Sequence, residues 1–363
     1  MKLEDLGWDD HFRTQFSNQE TEQGVLPARV SQGHRGGFYS VLCEEGEFLA
    51  EMSGRMQHAA KDGGGLPAVG DWVTIRTYKE KNRAIIHGLL ERKNSLSRKG
   101  VSGRKSEIQG KITEQILAAN IDTCFLINAL DNDFSVRRIE RYLTTVYNSG
   151  ITPVVVLNKT DLVPDPEEYL DQINKVIFGV SVIPVCGLTN SGILDLSAHI
   201  QAGKTIVFIG SSGVGKSTII NRLFGMERQR VNPVRESDQK GRHTTTSREL
   251  MLLSEGGIVI DTPGMREFQP WMVEEEIEEA FNDIEELSLD CKFRNCTHES
   301  EPGCAVQEAI KAGKLDPDRY CNYTRMRREA RFIEERTNLG TQQTERKRWK
   351  AITKLQKQIK KDW

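Results

Sequence analysis

Two kinds of apolar patterning divide the chain. From Gly24 to about Lys99, short β-type runs alternate with glycine-rich turns. The runs are Val25 to Val30, Phe38 to Cys43, Glu47 to Met52, Asp71 to Arg76 and Ala84 to Leu89; Gly36-Gly37, Gly46 and Gly63-Gly64-Gly65 mark turns. Five short strands at this spacing predict a small β-barrel such as an OB-fold, and an SH3-like barrel would look similar. From about Gly110 the pattern becomes α/β. Thr123–Ile127, Pro153–Leu157, Val182–Val185 and Thr205–Ile209 are apolar, β-branched runs of the kind buried strands have, and Val136–Ser149 is the helix between the first two. The stretch Val273–Leu287 is acidic and helical. The end, from Thr324, is basic and helical, with Trp349, Ile352 and Ile359 as a partial apolar stripe. Residues Met1 to Gln23 are polar apart from Trp8, Phe12 and Phe16, a pattern that allows a short amphipathic helix.

Length and composition narrow the class. At 363 residues there is room for two or three domains, and 37% hydrophobic with 28% charged residues predicts a soluble globular protein. No apolar run approaches the roughly 18 residues of a membrane span, and no signal peptide opens the chain, so a cytoplasmic protein without a membrane partner is expected. A net charge of −2 argues against a uniformly basic nucleic-acid binder. Local basic patches remain, at the C-terminus and at Arg92 to Lys99, the latter reading equally as a phosphate-backbone contact or a solvated linker.

The chemistry centres on Gly210-Ser211-Ser212-Gly213-Val214-Gly215-Lys216-Ser217, which fits G-x-x-x-x-G-K-[ST]. A strand precedes it and a helix opens at Thr218. That order lets backbone N–H groups close around phosphate oxygens at a helix N-terminus. Lys216 would reach the β- and γ-phosphates, and Ser217 would bind Mg²⁺. Asn158-Lys159-Thr160-Asp161, at the end of a strand, is N-K-x-D. A carboxylate at Asp161 accepts from guanine N1–H and the 2-amino group, donors that adenine lacks there. Asn158 braces the loop and Lys159 packs its stem on the ring. Cys186-Gly187-Leu188 stands where GTPases commonly carry Ser-Ala-Lys, a departure in a loop whose base contact is mainly backbone. Asp261-Thr262-Pro263-Gly264 is D-x-x-G: Asp261 would hold Mg²⁺ and the Gly264 N–H would sense the γ-phosphate. Met265 follows, where many GTPases have a water-orienting Gln. Gly241-Arg242-His243-Thr244-Thr245-Thr246 supplies switch threonines, any one of which could meet the metal. N-K-x-D precedes the P-loop and D-x-x-G follows it, the order of a circularly permuted GTPase domain.

Cys291, Cys296, His298 and Cys304 cluster near the C-terminus. Three thiolates and an imidazole satisfy a closed tetrahedral site, so a structural Zn²⁺ is expected, stapling a small helical module.

With the permuted motifs, the zinc cluster and the strand-rich N-terminus together, the chain resembles the ribosome small subunit-dependent GTPase A family of bacteria, over nearly everything beyond residue 24. The resemblance implies an OB-fold, a permuted GTPase domain and a zinc domain. It also implies GTP hydrolysis stimulated by the small ribosomal subunit, rRNA binding and a role in late maturation of that subunit. His243, in the family's G-R-H-T-T-T segment, is the candidate for positioning water; a structural or RNA-contacting role would suit it equally. The expected layout is an extension over 1–23, an OB-fold over 24–100, the permuted P-loop domain over 101–272, a mainly helical zinc-binding domain over 273–335 and a basic helical tail over 336–363, in a monomer. The competing readings are a P-loop ATPase or kinase, against which N-K-x-D speaks, and a zinc and OB-fold RNA binder whose guanine-nucleotide site is only regulatory.

Overall fold

A computed structural model of the chain describes residues 1–18, 24–61, 65–78, 82–101, 112–175, 177, 179–225, 248–261, 277–278, 280–299 and 301–335. The chain forms two compact units: Met1–Ser97 with Ile116–Phe268, and Arg98–Gln115 with Gln269–Trp363.

In the first unit, β1 (Val25–Gly33), β2 (Phe38–Cys43), β3 (Gly46–Met52), β4 (Trp72–Tyr78) and β5 (Arg83–Leu89) pair β1–β2–β3–β5–β4, and β4 returns to β1. This closes a five-stranded barrel of the OB type, with β3 and β5 the parallel pair. Inward positions Val30, Val41, Phe48, Ala50, Val73, Ile75 and Ile86 fill it. One element was not among the sequence expectations: helix α2 (Gly54–Lys61) follows β3 and packs Met56 on the barrel core.

The leading segment is built into this unit. A 3₁₀ turn, Glu4–Leu6, precedes α1 (Asp10–Asn18), and Leu6, Trp8 and Phe12 are buried against Trp72 and Leu90. Trp8 meets Trp72 edge-on with centroids 4.6 Å apart. The stretch Arg92 to Lys99 is neither solvated linker nor free basic patch at its start. Ser95–Val101 is strand β6, paired with β7 (Ile112–Ala119), and Leu96 is fully buried. Arg92 pairs with the buried Asp71 at 2.6 Å, and Lys93 pairs with Asp9. A carboxylate without solvent needs a cation beside it, and that need recruits Arg92 inward.

The barrel continues into a second sheet region through one β1 pairing, Gln32 with Glu249 of β12 (Glu249–Leu252). From there the order is β12, β13 (Ile258–Asp261), β11 (Thr205–Ile209), β8 (Thr123–Ala129), β9 (Thr152–Asn158) and β10 (Ser181–Val185). All are parallel except β12. Both faces are covered, which is why these strands read as unbroken apolar runs. One face carries Leu126, Val155, Leu157, Val207 and Ile209 against α3 (Val136–Asn148) and Ile173 of α4 (Glu167–Asn174). Helix α3 is capped by Ser135, and it buries Ile139, Tyr142, Leu143 and Val146, the i, i+3, i+4, i+7 stripe. The other face carries Phe125, Ile127, Val154, Ile206 and Phe208 against Leu196 of α5 (Ile193–Ser197) and Ile219 and Ile220 of α6 (Lys216–Leu223).

In the second unit, helices Asn282–Leu289 and Ala305–Lys311 and a helical stretch over 317–335 share a core of Phe281, Ile284, Val306, Tyr323 and Met326. No helix among the described residues is long and apolar enough to cross a membrane.

Candidate functional site

Parallel strands end on one edge of a sheet, so whatever follows each strand gathers there. Gly210 to Gly215 follow β11, Asn158 to Asp161 close β9, Cys186 to Leu188 follow β10, and Asp261 ends β13. The permuted motif order leaves this edge intact, because β11 still lies between β8 and β13.

Asn158 joins three of these segments. It is buried, its Nδ2 donates to the Val214 carbonyl at 2.7 Å, and its Oδ1 accepts from the Gly187 N–H at 3.1 Å. Gly215, at φ +95°, is required here: a Cβ would stand 2.2 Å from Asn158 Nδ2. Lys159 takes a left-handed φ of +64°, and its Nζ pairs with Asp131 at 2.7 Å. That cation holds the Asp131 carboxyl below its usual range against the opposing effect of burial. The Thr160 hydroxyl donates to the Val185 carbonyl at 3.4 Å, and exposed Asp161 accepts from the Cys186 thiol through Oδ1 at 3.0 Å.

In the glycine loop, the Ser211 hydroxyl donates to Asp133 at 2.5 Å, while Ser212 and exposed Gly213 form the turn before buried Val214. Lys216 opens α6, with Ser217 and Thr218 in its first turn. The Lys216 ammonium donates to the carbonyls of Gly210 (2.6 Å) and Ser211 (2.7 Å). Burial pulls it down to about 8, opposed by the negative charge of Asp261. Ser217 and the buried Asp261 offer oxygen donors, the class a hard divalent cation takes. Gly264, Met265 and the segment Gly241 to Thr246 with His243 lie outside the described residues, as does the basic tail over 336–363.

Asp131, Asp133 and Arg222 are members of this edge that no motif marks. Spacing could not find them, since each is defined by a partner distant in sequence.

The second unit holds the candidate metal site. The ligand atoms of Cys291, Cys296, His298 and Cys304 all lie within 4.8 Å of one another. Cys291 Sγ is 3.9 Å from Cys304 Sγ and 3.5 Å from His298 Nδ1, which is 3.4 Å from Cys304 Sγ. A tetrahedron with Zn–S bonds of ~2.3 Å has edges of about 3.8 Å, so these separations fit that ion. Burial and the neighbouring Cys304 and Cys291 thiols push the Cys296 thiol up to about 11, the direction a central cation reverses. Burial lowers His298, keeping the imidazole neutral as a ligand must be. Around the cluster, the His298 carbonyl accepts from Gln307 Nε2 and the Tyr320 hydroxyl, both at 2.6 Å, and the Gln307 N–H points at Cys304 Sγ.

Comparison with known proteins agrees with this geometry. The family model described as RsgA GTPase matches residues 89–271. An ABC transporter model matches residues 193–359, a range that includes the strand, glycine loop and helix common to P-loop proteins but omits Asn158 to Asp161. A protein of Opitutus terrae named small ribosomal subunit biogenesis GTPase RsgA is 41% identical over 97% of this chain and 96% of its own length. Its namesake in Syntrophotalea carbinolica is 38% identical over 100% of this chain and 99% of its own. Among solved structures, YjeQ from Thermotoga maritima superposes with a TM-score of 0.60 at 26% identity, covering 84% of this chain and 98% of that one. YloQ, described as a circularly permuted GTPase, gives 0.57 at 26% identity, covering 86% and 98%.

Proposed function

We propose, because the chain belongs to the RsgA GTPase family and is a GTP-hydrolysing enzyme, that it hydrolyses GTP to GDP and phosphate on the small ribosomal subunit late in its maturation, binding rRNA. It does so as a cytoplasmic monomer. The observation that carries this reading is Asn158, which ties the N-K-x-D loop to the phosphate loop in one site. A regulatory, non-hydrolysing nucleotide site is not favoured, since full-length relatives are named as GTPases.

In this reading Gly210 to Thr218 wrap the phosphates, and Lys216 leaves its loop carbonyls for the β- and γ-phosphate oxygens. Asn158, Lys159, Thr160 and Asp161 hold guanine. Ser217 and Asp261 would hold Mg²⁺, which would supply charge neutralisation at the phosphates. Gly264 donates its N–H to the γ-phosphate. Met265 cannot orient water, so His243 takes that part when the chain is bound to the subunit. Attack by water on the γ-phosphorus breaks the bond to the β–γ bridging oxygen, and GDP leaves with that oxygen.

The test is GTP turnover by the pure protein with and without isolated small subunits. Slow turnover alone and faster turnover with subunits are expected; equal rates would defeat the subunit-stimulated reading. His243→Ala should lose mainly the stimulated increment, with GTP affinity nearly unchanged.

Lys216 also makes binding pH-dependent. Its proton affinity is depressed to about 8 in the nucleotide-free site, and bound phosphates raise it. Binding therefore takes up a proton above that value. Affinity is full below it and falls as pH rises through it, by up to about tenfold per pH unit. GDP titrations across this range, in buffers of differing ionisation enthalpy, should show both the decline and the proton uptake.

The cysteine and histidine cluster holds a single structural Zn²⁺ in this reading, with all four positions taken by protein. Cys296→Ala should lower zinc content and open the second unit to proteolysis, because structural zinc contributes on the order of 10 kcal/mol to such modules. Nucleotide affinity should be largely retained, the phosphate loop being in the other unit. Metal analysis of chelator-free preparations and limited proteolysis read the two effects separately.

A further inference from the structure

The segment Cys186–Leu188 departs from Ser-Ala-Lys, yet it is held on every side. The Cys186 N–H donates to the Ser191 carbonyl at 2.9 Å, and its thiol reaches Asp161. The Gly187 N–H is taken by Asn158. Both following carbonyls accept from one residue outside every nucleotide-binding motif: Arg222 Nε donates to Gly187 O at 3.0 Å, and Arg222 Nη2 donates to Leu188 O at 3.1 Å. The loop lies directly on α6, since a Cβ at Gly187 would stand 3.1 Å from Thr218 Cγ2. Thr218 and Arg222 are i and i+4, one face of that helix.

We propose that Arg222 is a positioning residue for purine selectivity, acting by holding the Gly187 and Leu188 carbonyls on the α6 side of the loop. The inference rests on the guanine-nucleotide reading above. A trans peptide points its C=O and the next N–H in opposite directions. With both carbonyls turned to the guanidinium, the N–H groups of Leu188 and Thr189 face away from α6. What the loop then presents to a base held by Asp161 is donors. Guanine carries an acceptor, O6, at the position where adenine carries a donor amino group. Freed carbonyls would accept from that amino group and repel O6. Arg222 thus discriminates at the 6-position, while Asp161 reads N1–H and the 2-amino group. Glycine at 187 is the reason an outside clamp matters, because its backbone is the least self-restrained.

The experiment measures dissociation constants of GTP, ITP, ATP and inorganic tripolyphosphate for the full chain and for Arg222→Met, which keeps the stem and removes the donors. GTP and ITP should both weaken about tenfold, ATP should hold or tighten, and tripolyphosphate should be unchanged. The GTP-to-ITP ratio, set at the 2-position, should stay constant. Arg222→Lys, able to reach one carbonyl, should fall between. Equal weakening of all four ligands would mean damage to α6 and would overturn the proposal, as would an unaltered GTP-to-ATP ratio. Should Arg222→Met melt below the assay temperature, Arg222→Lys and Arg222→Gln carry the same comparison. A wild-type chain with no preference for GTP over ATP would instead defeat the guanine reading itself.

Discussion

Lys216→Ala is expected to lower GTP turnover on the order of 10²–10³-fold, with and without ribosomal subunits. Phosphoryl transfer asks a protein mostly for position and charge. Lys216 is the one cation supplied by the glycine loop itself, and its ammonium already lies among the carbonyls of Gly210 and Ser211. Removing it leaves two carbonyl oxygens facing phosphate oxygens with no proton between them, so the loss includes repulsion as well as a missing attraction. The alanine side chain cannot perturb the fold much, because the helix it opens is anchored by buried Ile219 and Ile220. Single-turnover assays at saturating GTP, with an unaltered melting temperature, separate this from unfolding. Turnover within threefold of wild type would show that another cation does the work.

Asp161→Asn is expected to weaken GTP on the order of 10³-fold and to improve XTP, reversing the preference. The carboxylate accepts two donors from guanine; the amide keeps one acceptor and offers one donor, which suits the 2-oxo group of xanthine. The Cys186 thiol is a donor directed at Oδ1. It therefore favours the amide oxygen at that position and leaves the amide nitrogen at the other. Competition titrations of GTP and XTP read the switch. Unchanged GTP affinity would show that this loop does not read the base.

Much of the site was legible because its chemistry is local. A phosphate cradle needs consecutive N–H groups and glycines, so eight residues from Gly210 to Ser217 announce it. The barrel strands were legible because turn glycines bracket them, and β2 occupies the predicted Phe38–Cys43. Helix α2 has no such bracket: it fills Gly54–Lys61, between the Glu47 to Met52 run and the Gly63 turn, with too few apolar positions to announce itself. The Arg92 stretch misled because charge in a sequence carries no sign of a buried partner; Asp71, folded into the barrel, turns an apparent basic patch into an internal ion pair and a strand.

By itself, the amino-acid sequence determined the reaction class, the permuted order of the motifs, the cluster of three cysteines and one histidine that could hold a metal, and the strand-rich start. Each of these depends on residues close in sequence, or on a spacing set by backbone geometry. Only the tertiary structure decided how the motifs meet. Asn158 reaches Val214 and Gly187, the Cys186 thiol reaches Asp161, and Arg222 clamps a loop more than thirty residues before it. It also decided that the first residues belong to the barrel unit, through Trp8 against Trp72. The reason is common to all of these. Hydrogen bonds and ring contacts act over a few ångströms in space, and which segments come that close is set by strand order and helix packing, not by distance along the chain.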